Sequence, residues 1–120
     1  MPRVLRAGDG RRLELNGRVA TELVGGAGSD SDLTVRIVEV SPEGAVTRPL
    51  HVHRDVSEFV YVLAGRGEVH GASGTEPVGA GDAVHVSPGE RHKIAPVGGE
   101  PLRLLCVFAT DDLASRTEEG

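Results

Sequence analysis

The chain has 120 residues, 38% of them hydrophobic, and a net charge of −5, which fits one domain able to bury about two-thirds of its unfolded surface. With 18 acidic against 13 basic residues, and only two Phe, one Tyr and no Trp, it lacks the basic surface and stacking platforms that a nucleic-acid partner requires. The single cysteine, Cys106, excludes an internal disulfide and a Cys-x-x-Cys metal site; no apolar run approaches the roughly 20 residues of a membrane span, and Met1-Pro2-Arg3-Val4 leads into no secretory apolar core, so no membrane partner and a cytoplasmic location are expected.

In chain order, Arg12 to Leu15 and Arg18 to Val24 flank Asn16-Gly17, a two-residue hairpin signal. Gly25 to Asp32 reads as a flexible loop. It is followed by no Gly-Lys-Ser/Thr that would make a phosphate cradle, and Asp30-x-Asp32 lacks the remaining spacing of a calcium loop. Leu33 to Val40 is β-branched and strand-like, and Ser41-Pro42-Glu43-Gly44 closes it with a turn. Strands are expected around His51-Val52-His53, from Glu58 to Leu63, and, after a hairpin connection at Ala64-Gly65-Arg66-Gly67, from Glu68 to His70. Gly71 to Thr75 turns again, and Ala83 to Val86, Lys93 to Val97 and Leu102 to Ala109 complete the set. Nine short strands with frequent turns and no amphipathic helix predict an all-β sandwich or barrel. Residues 1–110 form one domain on this reading, and 111–120 a polar tail, helical or disordered.

The chemistry concentrates between Gly44 and Gly65. His51 and His53 sit two apart on an extended strand, so both imidazoles project from one face, about 7 Å apart at the backbone. Glu58 lies five residues past His53, on the opposite face of an unbroken strand, so Arg54-Asp55-Val56-Ser57 must turn or bulge. With that break, two imidazoles and one carboxylate converge on one point. A second stretch, Gly81 to His92, reads as a turn, a short apolar strand, a tight Pro88-Gly89 turn and a histidine beyond it.

These two stretches resemble the two motifs of the cupins. Gly44, six residues, His51-x-His53, four residues, Glu58, six residues and Gly65 follow the first motif, with one residue more than usual after the first glycine. Gly81, Gly89 and His92 fall at the spacing of the second. Ser87 stands where the family has proline, with Pro88 one place late, and Pro96 where it has asparagine. The resemblance spans Val35 to Phe108 and implies a cupin β-barrel, a double-stranded β-helix or jelly roll, with one divalent metal held by His51, His53, Glu58 and His92, a small-molecule substrate and a homodimer. Three imidazoles and a carboxylate suit Fe(II), Mn(II), Ni(II), Co(II) or Zn(II), and the absence of thiolate disfavours Cu(I). Because imidazole must be neutral to ligate, metal loss is expected as pH falls through roughly 6 to 5.

Two catalytic candidates follow. Glu58 could leave the metal and act as a base, and His85, if it faces the pocket, as an acid, base or substrate hydrogen bonder. His70 reads as a surface residue, Cys106 as a small core residue, and Phe59 and Tyr61 face away from Glu58. Arg36, Arg48 and Arg103 would bind anions if they pointed inward; solvated positions are the expectation. The family resemblance admits a dioxygenase acting on a small chelating metabolite, the preferred reading. It also admits a non-redox isomerase, cyclase or lyase using the metal as a Lewis acid, or a non-catalytic binder of a small ligand.

Overall fold

The computed structural model describes residues 2–26, 30–47 and 49–119. Arg48 and the middle of the Gly25-to-Asp32 loop lie outside the described residues. Eleven strands, a six-residue helix and a short 3-10 turn make up the described chain. β1 (Arg11–Leu15) and β2 (Arg18–Val24) form the expected hairpin, with Leu15 opposite Arg18 and Gly17 in the left-handed region at φ 75°, where a residue without Cβ carries no penalty. β3 (Thr34–Val40) pairs with β2 on one side and β10 (Leu102–Phe108) on the other. Adding β5 (Glu58–Ala64) and β8 (Ala83–Val86) gives one sheet in the order β1-β2-β3-β10-β5-β8. The second sheet runs β11-β4-β9-β6-β7, from β11 (Thr117–Glu119), β4 (His51–His53), β9 (His92–Pro96), β6 (Arg66–Gly71) and β7 (Gly74–Gly79). Every pairing is antiparallel. No helix among the described residues is long and apolar enough to cross a membrane.

The two sheets enclose a core of alternate residues, with Val38, Val40, Val60, Val62, Leu102, Leu104, Cys106 and Phe108 from the first sheet meeting Ile94 from the second. Strict alternation along β5 and β10 (buried at Glu58, Val60, Val62; at Leu102, Leu104, Cys106, Phe108) is the period-2 pattern of a strand with one face to the core. Cys106 is thus a core residue, as read from the sequence. On the opposite face, Phe59, Tyr61 and Leu63 stand exposed in a row along β5.

Four expectations need correction. Pro42–Thr47 forms helix α1 instead of a simple turn, its Gly44 N–H bonded to the Ser41 hydroxyl, a cap that Ser offers at a helix start. β5 and β6 lie in different sheets, so Ala64 to Gly67 is a crossing between layers and not a hairpin. Gly74–Gly79 is a strand, β7, paired among the described residues with β6 alone; its Pro77 is tolerated because an edge strand leaves one row of backbone groups unpaired. Finally, the segment after Asp111 is part of the fold: Leu113 is buried in the core, and Thr117–Glu119 pairs with β4 through Thr117↔His53 and Glu119↔His51.

The crossing at Gly65 is tight. Its φ is +90°, and a Cβ there would lie 2.6 Å from the Pro101 carbonyl oxygen. Gly65→Ala is expected to destabilise the fold by about 2 kcal/mol or more, read as a lower urea midpoint with unchanged slope; a midpoint within error of wild type would show that the crossing relaxes.

Candidate metal centre

β4 carries His51 and His53 into the barrel from the second sheet, between the edge strand β11 and β9, and His92 at the start of β9 is registered opposite His51. The chain then reverses through Arg54 and Asp55, the latter at φ 57°, a left-handed conformation that Asp tolerates better than most residues. This break brings Glu58, at the start of β5, to the inner face of the opposite sheet. His92 is delivered by Ser87-Pro88-Gly89-Glu90, a turn closed by Glu90 N–H to the Ser87 carbonyl at 3.2 Å, with Gly89 at φ 82°. Pro at the second and a positive-φ Gly at the third position suit a type II turn, so the displaced proline reshapes this turn without removing it. The exposed Glu90 carboxylate accepts the Ser87 N–H, which holds its pKa below the usual value.

The four side chains are buried, and one ligand atom from each lies within 4.8 Å of the others. Their protons are assigned by their partners. The Thr117 hydroxyl donates to the Leu113 carbonyl at 2.8 Å, so at 3.0 Å from His53 Nδ1 it accepts that nitrogen's N–H. His92 Nδ1 lies 2.9 Å from the Glu90 carbonyl, which can only accept. When these rings are neutral, Nε2 is therefore a bare lone pair, and both nitrogens face one carboxylate oxygen. Glu58 Oε1 is 3.0 Å from His92 Nε2 and 3.2 Å from His53 Nε2, the latter nitrogen buried and without a hydrogen bond. Acceptors so crowded in a buried site are satisfied by a proton on a ring nitrogen or by a cation among them. The donor set and its orphaned nitrogen fit a divalent metal. In the absence of a metal, burial raises the Glu58 pKa, but hydrogen bonds and charge from His53 and His92, in the form that carries Nε2–H, outweigh it and lower it to about 2, keeping the carboxylate ionised as a ligand must be.

Phe108 packs edge-on to His53, ring centroids 5.1 Å apart, and so buttresses one imidazole from the first sheet. Thr117 supports the same ring from the other side, a hydrogen bond of the kind that orients metal ligands. Thr117→Val keeps the shape and removes the acceptor. It is expected to weaken metal affinity about 10- to 100-fold with the fold intact, measured by competition with a chelator; an unchanged affinity would mean the His53 tautomer is set elsewhere.

The centre opens into a cavity of about 300 Å³, at the small end of the range for small-molecule sites. Its walls are mainly apolar, including Val38, Ile94, Leu104 and Phe108, and the C-terminal Leu113, Ala114 and Thr117 contribute one side. Two of the sequence-based assignments fail here. His85 is exposed on β8 opposite the exposed Phe59, while Val84 and Val86 take the inward positions level with Val60 and Glu58; it is no pocket residue. Arg36, expected in solvent, lines the cavity, its side chain only 14% exposed. Arg103 is exposed as expected, and His70 lies half-buried near the surface beside Glu68. Arg36 meets the inward condition under which the sequence made it an anion binder, whereas Arg18 and Thr117, which also line the cavity, were the residues missed, masked by charge and by polar surroundings.

A sequence profile of the cupin domain matches residues 37–108. The chain is a cupin. Among curated relatives, the oxalate-binding protein of Thermotoga maritima is 36% identical over 59 residues, 49% of each chain, and an uncharacterized protein of Methanocaldococcus jannaschii is 36% identical over 67 residues, 56% of this cupin and 53% of the relative. This cupin spans about half the length of the curated relatives it matches. Among solved structures, the nucleoside dehydratase Pac13 from Streptomyces superposes over 100% of this chain and 92% of its own, with a TM-score of 0.78 and 19% identity. A predicted oxalate decarboxylase from Thermotoga maritima superposes over 90% and 99%, with a TM-score of 0.74 and 21% identity. Oxalate decarboxylase OxdC of Bacillus subtilis superposes over 91% of this cupin and 29% of its own length, with a TM-score of 0.72 and 22% identity. At these identities the structures establish the shared fold.

Proposed function

We propose that this cupin is a divalent-metal-dependent enzyme acting on a small polar metabolite, with dioxygenase-type oxidation as the leading reading. The observation that carries the metal is the pair of lone-pair nitrogens, His53 Nε2 and His92 Nε2, aimed at one ionised carboxylate oxygen in a buried site. His51, His53, Glu58 and His92 would hold the ion. Bound there, it would supply Lewis acidity and, if redox-active, electron transfer.

The remaining residues narrow the chemistry. With His85 outside the barrel, the cavity offers, among the described residues, Glu58 as its one carboxylate and no histidine beyond the three ligands. A carboxyl held at about 2 is a good ligand and a weak proton acceptor, so a base role for Glu58 rests on its release from the metal. Isomerisation and dehydration, which move protons through protein groups, are served poorly by such a wall. Oxidative cleavage and decarboxylation ask less of it. The apolar walls exclude water and hold the substrate's carbon skeleton against the metal-binding face. Decarboxylation is the second reading, favoured by relatives described as oxalate-binding and oxalate-decarboxylating.

The test is protein reconstituted separately with Fe(II), Mn(II), Ni(II), Co(II) and Zn(II), offered enediols, diketones, catechols and oxalate while O₂ uptake and CO₂ release are followed. O₂ uptake with redox-active ions alone supports the dioxygenase. CO₂ release from oxalate that persists under nitrogen assigns the decarboxylase. A ligand recovered unchanged from every reaction would make the barrel a binder and sink the enzymatic reading.

A further inference from the structure

Inside the barrel, Glu22 on β2 and Arg36 on β3 face each other across the strand pair. Arg36 Nε and Nη2 lie 2.9 and 2.8 Å from Glu22 Oε2, and Arg11 Nη2 lies 3.1 Å from Oε1. Glu22 is buried, its side chain 5% exposed. One carboxylate therefore serves two guanidiniums, and the cluster keeps a net positive charge. Both bonds from Arg36 go to a single oxygen. Of its five N–H donors, those on Nη1 and one on Nη2 have no partner among the described residues. Arg36 lines the metal cavity, as does Arg18, and there Glu58, already claimed by the metal site, is the one carboxylate among the described lining residues; Arg36 also borders a second cavity beside Glu22, Asp111 and Asp112.

The register sets its distance from Glu58. Arg36 is level with Cys106, and Cys106 with Val60, two residues beyond Glu58. Two strand spacings across and two residues along place the Arg36 and Glu58 Cα atoms about 12 Å apart on the same inner face. Side chains reaching inward from both leave room between them for a short substrate, with apolar Phe108 and Cys106 beneath it. Glu22 offsets the desolvation of one edge of the guanidinium and leaves the Nη1 edge with donors to offer, and a buried ion pair is by itself a poor stabiliser.

We propose that Arg36, held in place by Glu22, is the anion-recognition residue of this cavity, so that the substrate carries a carboxylate at its far end in addition to the group that meets the metal. Glu22 positions the guanidinium through Nε and Nη2, and the free Nη1 edge receives the anion. The inference deepens the metal-dependent reading and rests on it.

The probes are 2-hydroxyglutarate and 2-hydroxypentanoate, which share a chelating 2-hydroxy-acid head and a five-carbon chain and differ in the tail carboxylate. Binding is measured by calorimetry on full-length Co(II)-reconstituted protein, with metal content determined on the same sample. Wild type is expected to prefer 2-hydroxyglutarate at least tenfold, and Arg36→Gln to lose that preference while binding 2-hydroxypentanoate unchanged. Glu22→Gln/Arg36→Gln removes both buried charges, guards against misfolding of the single variant, and is expected to behave alike. Equal affinities in wild type, a preference surviving in both variants, or its loss on Arg18→Gln and not on Arg36→Gln would overturn the assignment. Absence of metal from the reconstituted wild type would instead sink the underlying metal-dependent reading, so the two failures are distinct.

Discussion

Protein carrying His51→Ala and His53→Ala together is expected to purify without the roughly one equivalent of divalent metal that wild type retains when no chelator is used. The two residues supply half of the four-ligand cluster and enter from one three-residue strand. His92 and Glu58 alone would form a two-point site, and transition metals that bind tightly in proteins are usually held by three or four protein ligands. The strand should survive the change. Val52 between them stays buried, and β4 keeps its backbone pairing with β11 and β9, so circular dichroism should match wild type. Loss of metal should also remove the stabilisation that a ligand bound only to the folded state confers, about 4 kcal/mol at a thousandfold excess over Kd. Elemental analysis decides the matter, and equal metal in the two proteins would place the ion elsewhere. The identity of the ion in wild type separates the redox from the non-redox reading, because Zn(II) carries no electrons between substrates.

The convergence of His51, His53 and Glu58 was legible in the sequence because strand parity is a strong constraint, and His92 joined them through the family resemblance. His51 and His53 had to share a face, and Glu58 could join them only through a break, which the structure places at Asp55 with φ 57°. The same reasoning, pressed further, would have excluded His85. β5 and β8 pair with Glu58 opposite Val86 and Phe59 opposite His85, so the phase of β8 follows from Glu58 once the pairing is known. Pairing is a tertiary fact that the isolated run Ala83-Val84-His85-Val86 does not contain. Arg36 escaped for a different reason. Within Thr34–Val40 it shares the inward face with Val38 and Val40, but its charge argued for solvent, and the compensating Glu22 lies 14 residues away on β2. The C-terminal segment was hidden by composition. Leu113 is a lone apolar residue between Asp112 and Ala114, and only its insertion into the core shows that Thr117 reaches His53. β7 was concealed by the Gly and Pro that an edge strand tolerates.

Acid should act on this protein in two stages, metal first and fold later. Imidazoles ligate only through nitrogens that carry no proton. As pH falls, protons compete with the metal for them, and because each ligand nitrogen must be deprotonated, the loss should be steeper than a one-proton titration, with its midpoint between about 6 and 5. Glu58 takes no part in this stage, since its carboxyl is lowered to about 2 and stays ionised. Once the metal has left, hydrogen bonds from His53 and His92 hold the buried carboxylate ionised. A carboxyl whose pKa is depressed on folding contributes stability that is present above its unfolded value, here 4.5, and is lost as pH falls towards the folded value. The metal-free fold should therefore persist near pH 5 and weaken between 4.5 and about 2. Glu58→Gln removes that second stage, leaving metal-free stability flatter across the same window. Dialysis over a pH series, with metal content and circular dichroism read on each sample, resolves the stages. Full metal occupancy after dialysis at about pH 4.5 would contradict a site built mainly of imidazoles, and metal and fold lost together near pH 6 would mean that the ion, and not the two-sheet core, holds the barrel closed.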